Sequence, residues 1–174
     1  MNLIQTERLI LEPLRLDHAE FFYELYQDTK IYKYIDSGVP QSLEWLREQF
    51  AILETRRLDK IKADLWDWAV YSPEENSYIG RAEYTLYDDG RCNVAYVFFS
   101  SFWRKGYAYE AMRASLDYIQ KERLGVKYII ECDTFNQASM AMARKLDFTY
   151  VKTIKNACIL HGRESDEHCF EFKS

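Results

Sequence analysis

The stretch "VAYVFFSSFWRKGYAYEAM", Val94 to Met112, runs from an apolar segment through a cationic turn into a helix-forming one. Val94–Phe99 is rich in the β-branched and aromatic residues that suit a buried strand. Gly106 follows Arg104 and Lys105, and "YEAMRASLDYIQKERL" then reads as a helix up to Gly125, a natural C-cap. The first N–H groups of a helix have no internal partner, and the helix dipole adds positive potential there. Gly106 lets the backbone approach a ligand closely, and Arg104 and Lys105 can add side-chain charge. Strand, glycine turn and helix start together read as an anion site, a phosphate above all. From the loop alone, an ordinary turn with solvated cations fits equally well.

Outward from this stretch, strand and helix signals alternate. "RLILEPLRL" (Arg8–Leu16) is a first strand, with Pro13 at an edge or an end. Asp17 is placed to cap a helix over "DHAEFFYELYQD", with Glu20 at the capping-box position. "TKIYKYIDSGVPQ" reads as an irregular aromatic loop. Ser42 caps a second helix, whose Leu43, Leu46, Phe50 and Leu53 recur at helical spacing. "LWDWAVYS", "SYIGRAEYTLY" and "RCNVAYVFF" follow as strands joined through "PEEN" and "DDG". After the long helix come the strand "VKYIIECDT" and the short helix "NQASMAMARKL", capped by Asn136. "FTYVKTIKNACIL" and "EHCFEFK" close the chain as a hairpin around "HGRESD". The order β-αα-βββ-α-β-α-ββ, with no repeat or linker, predicts a mixed sheet with helices on its faces, in one domain spanning residues 1–174.

A chain of 174 residues can bury a full core, and 14 Tyr, 10 Phe and 4 Trp supply large rings for it. No apolar run approaches the roughly 20 residues that span a membrane, and the N-terminal residues do not read as a signal peptide. Cys92, Cys132, Cys158 and Cys169 form no CxxC pair, which suits free thiols in a reducing cytoplasm. The formal charge of −5 argues against nucleic acid as partner and suits an amine or cationic substrate. His161, His168 and Cys169 lack a fourth ligand at zinc-like spacing, so no metal is expected.

"FWRKGYAYEAM" followed by "NQASMAMARKLDF" resembles the GNAT superfamily of N-acetyltransferases, and within it the branch of ribosomal-protein N-terminal (RimJ/RimL-type) acetyltransferases. "TERLILEPLRLDH", "YIGRAEY" and the closing "HGRESDEHCFEF", with Asp166, extend the resemblance over nearly the whole chain. It implies an α/β (α+β) fold: one GNAT domain with a mixed, mostly antiparallel sheet of about seven strands and about four helices, whose fourth and fifth strands splay apart. It also implies that the backbone of Arg104, Lys105, Gly106, Tyr107, Ala108 and Tyr109 holds the diphosphate of acetyl-coenzyme A. Val97, Phe98 and Phe99 would hydrogen-bond the pantetheine arm through groups that the splay leaves unpaired. Asn136 would bond the same arm, with Ser139 near the thiol. By residue type alone these two are an N-cap and a neutral helix position. The pattern departs from the family's in Trp103 at its first position, in Arg104 where glycine is frequent, and in Asp147-Phe148 where Gly-Phe is frequent.

Direct transfer to an amine needs a base for the ammonium proton and an acid for the departing thiolate. Many GNAT enzymes carry a tyrosine where Ala143 stands, so Ser139 is the candidate acid. Asn93 stands where relatives often carry glutamate, leaving Glu83 and Asp133 as candidate bases; a solvated strand acid is the plainer account of each. The backbone N–H near Phe98 is the candidate oxyanion donor. Trp68 and Tyr84 suit core or cleft wall. Tyr32 and Tyr34 are candidates for the acceptor-side wall. The resemblance implies transfer to a primary amine, a protein or peptide N-terminus above an amino acid, polyamine or antibiotic. A non-catalytic acetyl-coenzyme A sensor is the alternative from another class, and a covalent acyltransferase using Cys132 or Cys158 with His161 is a third. The protein is expected in the cytoplasm as a monomer or homodimer.

Overall fold

The computed structural model describes residues 1–172; Lys173, the end of the last expected strand, and Ser174, the end of the expected domain, lie outside the described residues. The strands are β1 (Ile4–Gln5), β2 (Ile10–Pro13), β3 (Arg57–Leu58), β4 (Ala63–Ser72), β5 (Ser77–Tyr87), β6 (Arg91–Phe98), β7 (Lys127–Asp133), β8 (Phe148–Leu160) and β9 (Arg163–Phe172). They form one sheet in the order β1-β2-β4-β5-β6-β7-β9-β8, with β3 paired to β4. The sheet has nine strands rather than about seven because β1 and β3 are two-residue pairings, too short to show an alternation in sequence.

The α-helices are α1 (His18–Tyr23), α2 (Leu43–Glu54), α3 (Tyr107–Glu122) and α4 (Gln137–Lys145). Strand alternation divides the core between two faces. Trp68, Val70, Ala82, Tyr84, Val94 and Phe98 pack with α3 and α4, whereas Ala69 and Phe99 pack with α1 and α2. Ile79 has no partner on β4, because Val70 faces Gly80 and Tyr71 faces Tyr78; this bulge lies at the close approach of Gly80 to β6.

Ser42 caps α2 as expected, accepting from the Trp45 N–H at 3.1 Å. Asp17 does not cap α1; its side chain makes no cap bond, and His18 Nδ1 accepts from the Arg15 N–H at 2.9 Å instead. The first helix ends at Tyr23, and the chain tightens into 3-10 turns over Leu25–Gln27 and Thr29–Tyr34. The second turn stands where an irregular loop was expected. Asp28 caps it, accepting from Lys30 N–H, and also ties it to Ser100 N–H at 3.0 Å. Helix α3 stops at Glu122 with Arg123 at its C-cap; Gly125, at φ +74°, turns the chain into β7.

The expected splay is present. Parallel β6 and β7 pair only over Arg91–Asn93 and Lys127–Ile129, and beyond them β6 pairs with β5 alone. Phe99 N–H goes to Ile79 C=O at 3.1 Å. Backbone groups alternate sides along a strand, so those of Val94, Tyr96 and Phe98 face the gap. Among the described residues, no helix is long and apolar enough to cross a membrane.

Candidate active site

The gap runs to the start of α3. After a 3-10 turn at Ser100–Phe102, Arg104 takes φ +65° and Gly106 φ +86°. Among the described residues, no N–H from Arg104 to Tyr109 donates to a protein acceptor, and the first to do so is Glu110, to Gly106 C=O at 3.2 Å. The loop is braced from outside. Arg8 donates to Lys105 C=O at 3.1 Å and pairs with Glu110 at 2.6 Å, and the Thr6 hydroxyl donates to Glu110 at 2.6 Å. Burial pushes the Glu110 carboxyl up, but these hydrogen bonds outweigh it and hold it below its ordinary range.

Two of the expected cations and rings are committed elsewhere. Lys105 pairs with Glu75 at 2.6 Å, and the buried Tyr107 donates its hydroxyl toward Glu74 and Glu75 at 2.9 and 2.8 Å. Lys105 and Tyr107 therefore present backbone rather than side chain to the loop's concave side. A cleft of about 500 Å³ lies beside the loop, edged by Arg8, Gly106, Tyr109, Arg113 and Lys145. Lys145 Nζ stands 3.9 Å from the centre of the Tyr109 ring, and Arg113 pairs with Asp147 at 2.7 Å. The four-residue step from Tyr109 to Arg113 was visible in sequence as a helix face; Arg8 and Lys145 carried no such signal.

Of the strand end Val97–Phe99, only Phe98 turns its backbone to the gap. Phe99 gives its N–H to Ile79, and Val97 is paired with Arg81 on β5. Trp103 Nε1 donates to Phe98 C=O at 2.6 Å, leaving the N–H as the free backbone group of Phe98 on the gap. Asn136 caps α4, its Oδ1 accepting from the Ser139 N–H at 3.0 Å. Asn136→Ala is expected to cost about 1 kcal/mol, measured by urea unfolding. An unchanged midpoint would show that the cap contributes nothing.

Ser139 has a neighbour that sequence reasoning missed. Tyr96, on β6, brings its hydroxyl within 3.5 Å of Ser139 Oγ, and burial pushes that phenol up from its ordinary range. The two residues are 43 apart in the chain, so only the fold pairs them.

The two candidate bases differ. Glu83 is half-buried on the α1–α2 face, opposite the exposed Ala95 on β6 and opposite Asp67 on β4. Asp133 is buried and committed. One oxygen accepts from Phe135 N–H at 2.7 Å; the other accepts from Arg163 at 3.1 Å and from the Ser165 hydroxyl. Tyr32 is buried and its hydroxyl donates to Tyr26 C=O at 2.9 Å, so its ring and its polar group are both committed inside the fold. Tyr34 lies at the surface side and donates to Phe135 C=O at 3.0 Å. Trp68 and Tyr84 are fully buried core residues.

The Cys-His arrangement is not formed. Cys158 faces Glu167 at 3.7 Å, burial pushes its thiol up, and His161 Nε2 is 2.8 Å from Tyr32 C=O. His168 faces Thr153 at 2.9 Å, apart from His161. Among the described residues, no three His, Cys, Asp or Glu side chains gather as metal ligands.

The mixed sheet is split between β6 and β7, and the split leads to the unpaired N–H groups at the start of α3. Residues 8–149 match the family described as the acetyltransferase (GNAT) domain, and the chain belongs to that family of acetyltransferases. Among curated relatives, the N-acetyltransferase p20 of Bacillus licheniformis is 23% identical, over 98% of this chain and 95% of its own. Among solved structures, RimL, a ribosomal L7/L12 α-N-protein acetyltransferase in complex with coenzyme A, superposes with a TM-score of 0.85 at 20% identity, covering 97% and 96% of the two chains. The microcin C7 self-immunity acetyltransferase MccE, in complex with acetyl-CoA and AMP, gives 0.83 at 17% identity, covering 95% and 92%.

Proposed function

We propose that the protein transfers the acetyl group of acetyl-coenzyme A directly to a primary amine, the N-terminus of a protein or peptide. One observation carries the reading: unpaired backbone groups along β6 lead straight into unpaired N–H groups at the start of α3. A diphosphate linked to an arm with two amides matches that donor and acceptor set. The backbone from Arg104 to Tyr109 holds the diphosphate; the adjoining cleft carries Arg8, Arg113 and Lys145 but also Glu7, Glu110 and Asp117, so the unpaired N–H groups rather than a net positive charge supply the anion's partners. Asn136 and the gap-facing backbone groups of β6 other than those of Phe98 hold the arm.

Acetyl-coenzyme A, when bound, supplies the acetyl group as a thioester. Phe98 N–H polarises the carbonyl oxygen, a role worth on the order of 3 kcal/mol. Glu83 takes the ammonium proton through water, its place beside the exposed Ala95 favouring it over the committed Asp133. Ser139, with Tyr96 behind it, returns a proton to the thiolate. The likeness to RimL favours a chain terminus over a small amine as acceptor. Four unpaired cysteines suit a reducing cytoplasm.

Acetyl-coenzyme A at a hundred times its dissociation constant should stabilise the protein by about 2.7 kcal/mol and raise Tm by about 5–10 °C. Pantetheine, which lacks the diphosphate, should raise it far less; equal shifts would sink the loop assignment. Incubation with acetyl-coenzyme A, a peptide library and a panel of small amines should add one acetyl mass to peptide N-termini. Acetylation of the small amines alone would reassign the acceptor. Tight cofactor binding with no thiol release would identify a sensor instead.

A further inference from the structure

On the α1–α2 face, two carboxylates stand directly opposite each other: Asp67 on β4 and Glu83 on β5. Like charges in that position repel. Arg81, two residues before Glu83, answers both through a single nitrogen. Its Nη2 is 2.9 Å from Asp67 Oδ1 and 3.5 Å from Glu83 Oε1. The guanidinium has no room to swing. Nη1 donates to the Tyr26 hydroxyl at 3.0 Å, the Phe50 ring lies 5.1 Å away, and Nε is buried without a partner. The Asp67 side chain is 4% exposed and the Glu83 side chain 30%, so the buried acid has the closer contact and the accessible acid the looser one.

We infer that Asp67 is a positioning residue for Glu83: by holding Arg81 it keeps the accessible carboxylate free to take a proton. This rests on the proposed role of Glu83 as base. If Asp67 loses its charge, Glu83 becomes the only carboxylate left to the fixed guanidinium. A tight ion pair favours the charged carboxylate and makes it a poorer base.

The charged and titratable groups around Asp67 are Arg81 and Glu83 from β5, Arg56 from the turn after α2, and Tyr26 from the turn after α1. Burial pushes the Asp67 carboxyl up, Arg81 pulls it down and Glu83 pushes it up again, and the balance stands at about 6. While Asp67 is ionised it shares the fixed Arg81 guanidinium; once Asp67 is protonated, Glu83 is the only charged partner left to that guanidinium, with no movement of Arg81 required. An ion pair that only tied α1 and α2 to the sheet would not link turnover to pH in this way.

The test compares the full chain with its Asp67→Asn, Asp67→Glu and Glu83→Gln variants. Turnover with acetyl-coenzyme A and a peptide amine is followed from pH 5 to 9, beside side-chain carboxyl ¹³C titration of the protein without cofactor. Glu83→Gln should lower turnover; if it does not, the base assignment fails. Asp67→Asn should have about a third of wild-type turnover above pH 7, and the two should converge toward pH 5, where wild-type Asp67 is neutral too. Asp67→Glu should restore turnover. A constant ratio at every pH, with Glu83→Gln impaired, would overturn the inference and leave the base in place. In the wild type, the Asp67 signal should titrate within the pH range over which the turnover ratio changes. This readout needs no variant to fold, and an Asp67 signal that stays flat from pH 5 to 9 would overturn the inference by itself.

Discussion

Replacing Gly80 by alanine is expected to cost about 3 kcal/mol of stability, in the upper range for overpacking a close-packed strand contact. A Cβ at residue 80 would stand against the Val97 carbonyl oxygen and 2.7 Å from the Phe98 ring. The first of these neighbours is backbone, so a rotamer change cannot relieve the clash. Strand β5 would have to move away from β6 next to the bulge at Ile79. For a chain of this length, that loss lowers Tm by about 6–12 °C. Because Phe98 borders the gap, cofactor binding should weaken as well. Thermal unfolding within about 2 °C of the wild type would show that the strands part there at little cost.

Gly106→Val should weaken acetyl-coenzyme A binding at least tenfold, about 1.4 kcal/mol, while the fold survives. Residue 106 has φ +86°, where a branched side chain is strained by roughly 1–2 kcal/mol. Its Cβ would lie only 3.4 Å from Arg8 Nη2. The branches would crowd the N–H groups proposed to hold the diphosphate, and relaxing φ would turn those groups away. Calorimetric titration with coenzyme A measures the effect. Unchanged affinity would reduce the loop to an ordinary turn with solvated cations.

Arg104 makes a related point. It holds φ +65° without being glycine, so the loop keeps a left-handed backbone at the position where the family often uses glycine. A left-handed backbone at a residue with a Cβ is strained, so the departure seen in sequence carries a conformational cost here. Asp17 went the other way. By residue type it suits a helix cap, but His18 answers the Arg15 N–H and lies 3.1 Å from Glu12 on β2, a partner that local sequence does not show. The 3-10 turn at Thr29–Tyr34 was hidden for a similar reason. Its anchor, Asp28, is fixed by Ser100, 72 residues away.

The sequence by itself determined the order of strands and helices, the caps at Ser42 and Asn136, and the glycine at the start of α3. These follow from side-chain period, cap chemistry and backbone preference, which act within a few residues. The opening between β6 and β7 followed only from resemblance, because splaying is a property of two strands and not of either one. Tertiary structure alone decided which charges are already spoken for. Lys105 is taken by Glu75, and Asp133 by Arg163 and Ser165, while Asp67 and Glu83 share Arg81. It also decided that Tyr96 meets Ser139 where the helix offers only Ala143. Each is a contact between residues far apart in the chain, set by sheet register and helix docking, and an ionisable group's chemistry depends on those neighbours more than on its own identity.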